Sequence, residues 1–278
     1  MEIILGVDIG GSTTKIVIFQ TEKQIVDVLQ VKANDQITSL YGAVGNILYK
    51  NNLSLNKVSK IVLTGVGASL INGNVYDIPT YKVNEFEAIG IGGLMLSGLD
   101  EALVMSMGTG TAFVRASNGK ATHIGGSGVG GGTLLGLSSK LVNENDIEAI
   151  IAMANDGNLQ NVDLSISEIS NTDILSLPPT ATASNFGKIK SVANNSDMAV
   201  GLLNMVFQTV GMLAVFACLD TNTKNVVATG SMATLPQAKQ FLCEVGVFHN
   251  LNFIIPDNAA YATAIGAAAL HFKSADRG

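Results

Sequence analysis

Tryptophan is absent from this 278-residue sequence, cysteine occurs twice, histidine three times and proline five times. Cys218 and Cys243 have no metal-ligand spacing and cannot build a disulfide framework, so a reduced, cytoplasmic chain is expected. Charged residues are also scarce at 14%, yet 47% of the residues are hydrophobic, which excludes disorder and requires large buried surfaces. The net charge of −6 leaves no basic footprint for nucleic acid or an anionic membrane. An anionic substrate would therefore be met by local cations and backbone dipoles. The sequence enters an apolar strand at once, without the basic, apolar and small-residue pattern of a signal peptide. A long apolar run at 201–219 is interrupted by Asn204, Gln208 and Thr209, and Lys190 and Lys224 form no flanking cluster. It reads as a long buried helix, capped near Ser196 or Asp197 and ending near Asp220, and no membrane partner is expected.

Glycine, by contrast, occurs 30 times, and its placement carries the functional signal. In Ile3-Ile4-Leu5-Gly6-Val7-Asp8-Ile9-Gly10-Gly11-Ser12-Thr13-Thr14-Lys15 an apolar run reaches an acid, then two glycines and three hydroxyls, before Ile16-Val17-Ile18 resumes the apolar pattern. That is strand, tight turn, strand. Paired glycines let backbone N–H groups approach a ligand without Cβ obstruction, and Ser12, Thr13 and Thr14 add neutral donors. Asp8 suits a phosphate site only if a hard cation such as Mg²⁺ lies between, so the stretch predicts a metal-nucleotide site. It lacks the spacing of a Walker A loop, and a strand follows where a dinucleotide fingerprint needs a helix. An ordinary glycine hairpin remains the alternative for this stretch alone.

The next segments read as a strand at 24–31, a helix at 37–49, and a strand from 60 into the Gly65 turn. Strand, strand, strand, helix, strand, helix is the order of a ribonuclease-H-like half. A strand then meets a helix at Tyr81-Lys82-Val83-Asn84-Glu85-Phe86-Glu87, where Glu85 and Glu87 either serve the helix macrodipole or supply a general base. Ala102-Leu103-Val104-Met105-Ser106-Met107-Gly108-Thr109-Gly110-Thr111-Ala112 repeats the first hairpin in kind. Two such hairpins facing each other predict a cleft between two α/β domains, at 1–98 and 99–278. The glycine-rich run 125–133 leads into a helix whose exposed N–H groups would suit an anion. Beyond it lie a polar excursion at 158–187, the long helix, a strand into Gly230-Ser231, a helix at 237–245, a strand at 251–256 and a small-residue helix at 258–270.

Asp8-Ile9-Gly10-Gly11-Ser12-Thr13-Thr14-Lys15, Glu85-Phe86-Glu87-Ala88, Gly108-Thr109-Gly110-Thr111, Gly130-Gly131-Gly132-Thr133, Thr182-Ala183-Ser184-Asn185-Phe186-Gly187, Gly230-Ser231 and Ala264-Ile265-Gly266-Ala267 occur in this order. The ordered set resembles the type II, eukaryotic-like pantothenate kinases of the actin, Hsp70 and sugar kinase superfamily. The resemblance implies two actin-like ATPase domains around a cleft, ATP and Mg²⁺ as cofactors, and a homodimer built on a long helix that phosphorylates pantothenate in coenzyme A biosynthesis. It further implies Glu85 as base, Asp8 as organiser of Mg²⁺, and Gly10, Gly11, Ser12, Thr13, Thr14 and Lys15 around the phosphates. Thr109, Gly131, Gly132, Thr133, Leu134, Leu135 and Ser231 match its nucleotide-contacting positions. Gly110, Thr111, His123, Gly125 and Thr182 match its substrate side, with Glu85.

One departure bears on substrate. Where that family usually has an arginine before its Ile-Gly-Gly run, this sequence has His123 before Ile124-Gly125-Gly126. A guanidinium forks onto a carboxylate and is always charged, whereas an imidazole is only partly charged near neutral pH. Weaker pantothenate binding, a contact from Lys120, or a carboxylate-free substrate such as pantetheine would follow, unless His123 simply faces solvent. The family's adenine-side tyrosine is replaced by Ile147. An N-acetylhexosamine kinase, a dehydratase-activating ATPase and a non-catalytic nucleotide switch are the remaining readings.

Overall fold

The structure is a computed structural model describing residues 2–20, 24–33, 35–170, 178–219 and 221–275. Its first part runs β1 (Ile3–Ile9), β2 (Thr13–Gln20), β3 (Gln24–Lys32), α1 (Gln36–Lys50), β4 (Val58–Thr64), β5 (Thr80–Lys82) and α2 (Glu85–Ser97). Its second runs β6 (Glu101–Met107), β7 (Thr111–Ser117), β8 (Lys120–Ser127), α3 (Gly131–Leu141), α4 (Ile147–Asn155), β9 (Leu164–Ser165), α5 (Ile166–Ile169) and β10 (Thr182–Ser184). It ends with α6 (Asn195–Cys218), β11 (Asn225–Thr229), α7 (Pro236–His249), β12 (Asn252–Ile254) and α8 (Ala262–Ala275). The two large sheets have the orders β3-β2-β1-β4-β5 and β8-β7-β6-β11-β12. In each, the first three strands are antiparallel and the last two are added in parallel. The expected pair of ribonuclease-H-like halves is therefore present, strand for strand.

Burial explains the sequence patterns of these strands. β1 is covered on both faces and reads as a continuous apolar run, whereas edge strand β3 alternates between exposed and half-buried residues. Polar residues set the helix starts: Asp35 accepts from the Thr38 amide at 2.6 Å before α1, and Asn84 accepts from the Phe86 and Glu87 amides at 2.9 and 3.2 Å before α2. Asn194, rather than Ser196 or Asp197, caps α6. Asp197 instead closes the box from inside the helix, accepting from the amides of Asn194 and Asn158. The described helix ends at Cys218, and Asp220, where its end was expected, lies outside the described residues. By length and composition α6 is able to cross a membrane, but 61% of its most apolar window is buried inside the molecule.

The sequence reading missed β8, and β9, α5 and β10 inside the polar excursion at 158–187. Gly125 and Gly126 lie within the strand, not in a loop, and at Gly126 β7 passes too close for a side chain. A Cβ on Gly126 would sit 2.9 Å from the Thr111 carbonyl oxygen.

Four apolar clusters order the layers. α1 covers one face of the first sheet through Leu40, Val44 and Ile47, while α3, α4, α6 and α7 cover the outer face of the second. Between the sheets lie α2 and α8. α2 packs through Ile89 and Leu94 on Val104 and Val114 of the second sheet, and α8 packs through Ala264 and Ala268 on Ile4, Val17 and Val62 of the first. α8 thus lies on the sheet remote from it in sequence, whereas α2 packs on the sheet whose first strand directly follows it. They cross at backbone distance: a Cβ on Gly92 would overlap the Ala262 carbonyl, and one on Gly266 the Ala88 carbonyl. Replacing Gly266 by alanine is expected to cost about 2 kcal/mol or more in urea unfolding, as for an overpacked core. Gly42→Ala, on the exposed side of α1 with open space around it, is expected to gain about 0.5–1 kcal/mol in the same assay.

Candidate functional site

The β1–β2 turn is closed by the Gly10 amide donating to the Thr13 carbonyl at 3.0 Å, which leaves Gly11 and Ser12 exposed. In the second sheet the Gly108 amide donates to the Gly110 carbonyl at 2.8 Å and holds the β6–β7 turn the same way. The two turns come together: Ser12 Oγ and Thr109 Oγ1 are 3.4 Å apart across the gap between the sheets. The facing hairpins expected from sequence are thus in place.

Strand alternation decides which side chains enter that gap. Leu5, Val7 and Ile9 point to the α1 side and Ile4 to the α8 side, so Asp8 shares the inner face with Ile4. Lys15 is its direct partner across the β1–β2 pair and is only 7% exposed. On the outer face of β2, the Thr14 hydroxyl is 2.8 Å from Ser39 Oγ inside the core, so Thr14 offers its hydroxyl to α1 and not to the turn. β4 ends beside Asp8, and Gly65 there has φ +88 and leaves no room for a side chain against Asp8 Oδ1.

Three ionisable groups meet at this place. Burial pushes the Asp8 carboxyl up from its ordinary 3.8 to about 6, with Lys15 pulling it down and Glu85 pushing it further up. Burial lowers Lys15, and Asp8 opposes that shift. Glu85, the first residue of α2, is half-buried and raised by burial, whereas Glu87 one turn-edge away is exposed. The structure therefore separates two acids that the sequence left equivalent. A half-buried carboxylate with a raised pKa suits proton transfer. Asp8 fits Mg²⁺, which is commonly held by one or two carboxylates together with substrate phosphates. Among the described residues no trio of His, Cys, Asp or Glu forms a self-sufficient metal site.

The start of α3 differs from expectation. The amides of Gly131 and Gly132 donate to the Gly108 and Thr109 carbonyls, both at 2.9 Å, and the Leu134 amide to Gly130 at 3.0 Å. Thr133 Oγ1 donates to the Gly128 carbonyl at 2.9 Å, and the Leu134 side chain is fully buried, while Leu135 packs against the same core. These groups lock α3 onto the second hairpin, so the three amides are occupied rather than open to an anion. Thr111 behaves likewise, its hydroxyl donating to the Val129 carbonyl at 2.8 Å. Ser231 follows Gly230, whose φ of +87 matches that of Gly65 and whose amide donates to Ala259. Met232 lies 3.3 Å from a Cβ built on Gly131, which puts Ser231's turn beside α3.

On the substrate side expected from sequence, His123 is exposed to solvent but held: its ring stacks on Phe86, the neighbour of Glu85, with centroids 3.8 Å apart and planes at 13°. Lys120 opens β8 opposite Ser117, about 10 Å of strand away from His123. Gly125 has open space where a Cβ would be. Thr182 belongs to a polar knot. Its hydroxyl donates to Asp163 Oδ2 at 3.4 Å and accepts from Asn204 Nδ2 at 3.2 Å. Buried Asp163 also accepts from Asn204, Asn185 and the Phe186 amide, and Asn185 reaches Gln208 at 3.0 Å. Sequence reasoning missed Asp163, which sits in an aperiodic excursion whose residues 171–177 lie outside the described ones.

Known proteins bear out this architecture. The sequence profile of the Fumble family, described as "Fumble", matches residues 101–250. A protein named type II pantothenate kinase from Bacillus cereus is 29% identical over 242 residues, covering 83% of this chain and 83% of its own length. One of the same name from Staphylococcus haemolyticus is 28% identical over 280 residues, with 96% and 99% covered. Among solved structures, the activator of 2-hydroxyisocaproyl-CoA dehydratase from Clostridium difficile, with bound ADPNP, superposes at a TM-score of 0.72 and 18% identity, covering 99% of this chain and 96% of its own. At that identity the likeness speaks for the fold.

The charge cluster makes a direct prediction. A carboxyl raised from 3.8 to about 6 binds its proton more tightly folded than unfolded, so its contribution favours folding at low pH and is lost as pH rises through about 6. The ¹³C resonance of the Asp8 carboxyl is expected to titrate with a midpoint near 6. Lys15→Met should move that midpoint up and Glu85→Gln should move it down. A midpoint near 4 in the unmodified protein would contradict the burial of this group.

Proposed function

This chain belongs to the Fumble family, and from that premise we propose that it transfers the terminal phosphoryl group of ATP to the primary alcohol of pantothenate, the first step of coenzyme A biosynthesis. The curated relatives support the reaction and the acceptor by name. The observation that carries the reading in this molecule is the cluster of Asp8, Lys15 and Glu85 beneath two facing glycine turns.

Phosphoryl transfer needs little covalent help from a protein and is governed by positioning and by stabilising charge. In our reading Glu85 takes the alcohol proton as the acceptor oxygen bonds to phosphorus and the bond to the ADP oxygen breaks. Its raised pKa makes it a better acceptor than an ordinary surface carboxylate. Lys15, kept out of water, meets charge developing on the transferred group. Asp8 holds Mg²⁺, which when bound neutralises the phosphate oxygens. Gly10, Gly11, Ser12 and Thr13 approach the phosphates from one sheet and Thr109 from the other, with Ser231 on the nucleotide side. Phe86 holds the His123 ring at the contact of α2 with β8, where the imidazole is available to the acceptor's carboxylate in the place of the family's arginine. Thr182, braced by Asp163, stands on the acceptor side with Gly125.

We also take the enzyme to be a cytoplasmic homodimer, built on α6. Support comes from the helix's less covered side, where Met205 and Met212 are half-buried and Phe216 and Leu219 are 60% and 67% exposed.

Release of ADP from Mg-ATP on addition of pantothenate tests the reaction, and absence of release with both pantothenate and pantetheine would remove the acceptor assignment. Glu85→Gln is expected to lower kcat by ~10²-fold or more while leaving ATP affinity within a factor of two. His123→Arg is expected to lower KM for pantothenate several-fold, with little change for pantetheine, which has no carboxylate. An unchanged or higher KM for pantothenate would place His123 outside the acceptor site.

A further inference from the structure

The end of β4 carries an apolar side chain to the rim of the charged cluster. Asp8 pairs in register with Thr64, the last residue of β4, and the Thr64 hydroxyl donates to the Val83 carbonyl at 3.2 Å, two residues before Glu85. The Val83 amide donates to the Leu63 carbonyl at 3.0 Å, so the chain beyond β4 and the chain reaching Glu85 leave the sheet together. Gly65 has no side chain, and a Cβ there would sit 2.6 Å from Asp8 Oδ1. Val66 is therefore the first side chain past the carboxylate.

Val66 is 69% exposed, although the next two residues are drawn inward: Gly67 lies against Ile9 and Gln36, and Ala68 joins the core under α1. Its branched side chain is stiff at χ1, so its two methyl groups have little freedom to lose on contact. The second sheet holds the counterpart of this turn. Gly65 and Gly230 have φ of +88 and +87, each opens a short 3-10 turn, and the Ala68 and Ala233 amides donate to their carbonyls at 3.1 and 3.2 Å. Val66 thus occupies in the first sheet the position that Ser231 occupies on the nucleotide side of the second. A hydroxyl there is replaced by methyl groups here, so this turn offers a ligand apolar contact.

We propose that Val66 is a specificity-determining residue whose methyl groups meet the two methyl groups of pantothenate on the carbon next to its reacting hydroxymethyl. This rests on the acceptor assigned above. Bonding fixes those methyls close to the alcohol oxygen, so bringing that oxygen to Glu85 brings them to the rim of the cluster. Burying them against an aliphatic side chain favours this alcohol over a hexose, which carries no methyl groups there.

The test compares kcat/KM of the full chain on pantothenate, on pantetheine and on the pantothenate analogue with hydrogen in place of both methyls. Val66→Ala should lower kcat/KM about tenfold for pantothenate and pantetheine, as for loss of a methyl-sized contact, and less than twofold for the analogue. The unmodified chain's preference for pantothenate over the analogue should shrink to match. Val66→Thr, equal in shape with one methyl made a hydroxyl, should fall between. Because the side chain is exposed, neither variant should melt earlier than the unmodified chain. Equal loss on all three acceptors, or no loss, would overturn the proposal. So would a loss on pantothenate that spares pantetheine, since the two share the methyls and differ in the carboxylate. A chain that phosphorylates none of the three would remove the acceptor assignment and this proposal together. One that phosphorylates pantothenate equally well with valine or alanine at 66 would remove this proposal alone.

Discussion

A half-buried carboxylate and a buried ammonium on adjacent strands are the constraint around which this molecule is arranged. Asp8 and Lys15 attract each other across the β1–β2 pair, but burial acts against the charged form of each, so the pair is held at a cost that the surrounding sheet must bear. The sheet bears it by being covered on both faces. Gly65, where a Cβ would sit 2.6 Å from Asp8 Oδ1, then keeps a side chain off the carboxylate. A cluster that would be a defect in a closed core lies instead beneath two facing glycine turns.

The second sheet reproduces this scaffold without its charges. The turn, the parallel strand and the positive-φ glycine recur at 108–110, 225–229 and 230, but Ser106 and Ala112 occupy the register positions of Asp8 and Lys15. The two halves of the cleft thus differ in chemistry while sharing geometry. One half carries the charged cluster, and the other is neutral and packed around the start of α3.

Most of the architecture could be read from sequence because its signals are local. The runs 3–9 and 102–107 are strands by their continuous burial, and the hydroxyl-glycine turns announce themselves by residue type. Where the reading went astray, the deciding contacts were distant in sequence. β8 contains glycines that argue against a strand until β7 is seen pressing on it. The amides of Gly131 and Gly132 looked open to a ligand until the carbonyls of the β6–β7 turn were found to accept from them. Glu85 and Glu87 have the same local surroundings in sequence, and only the packing of α2 against the second sheet separates them. Asp163 draws its partners from residues 182, 185, 186 and 204, a set that no short motif could assemble.

The position of α8 on the first sheet has a bearing on how the chain is made. The inner face of the first sheet, with Ile4, Val17, Phe19 and Val62, is sealed by the 14 residues of α8 at the far end of the sequence. During synthesis that face has nothing of this kind to cover it until α8 has cleared the ribosome exit tunnel. The first sheet therefore completes its core only after the second has been made, and a chain that stops short of α8 would present a sticky sheet to chaperones and proteases instead of an independent folded fragment.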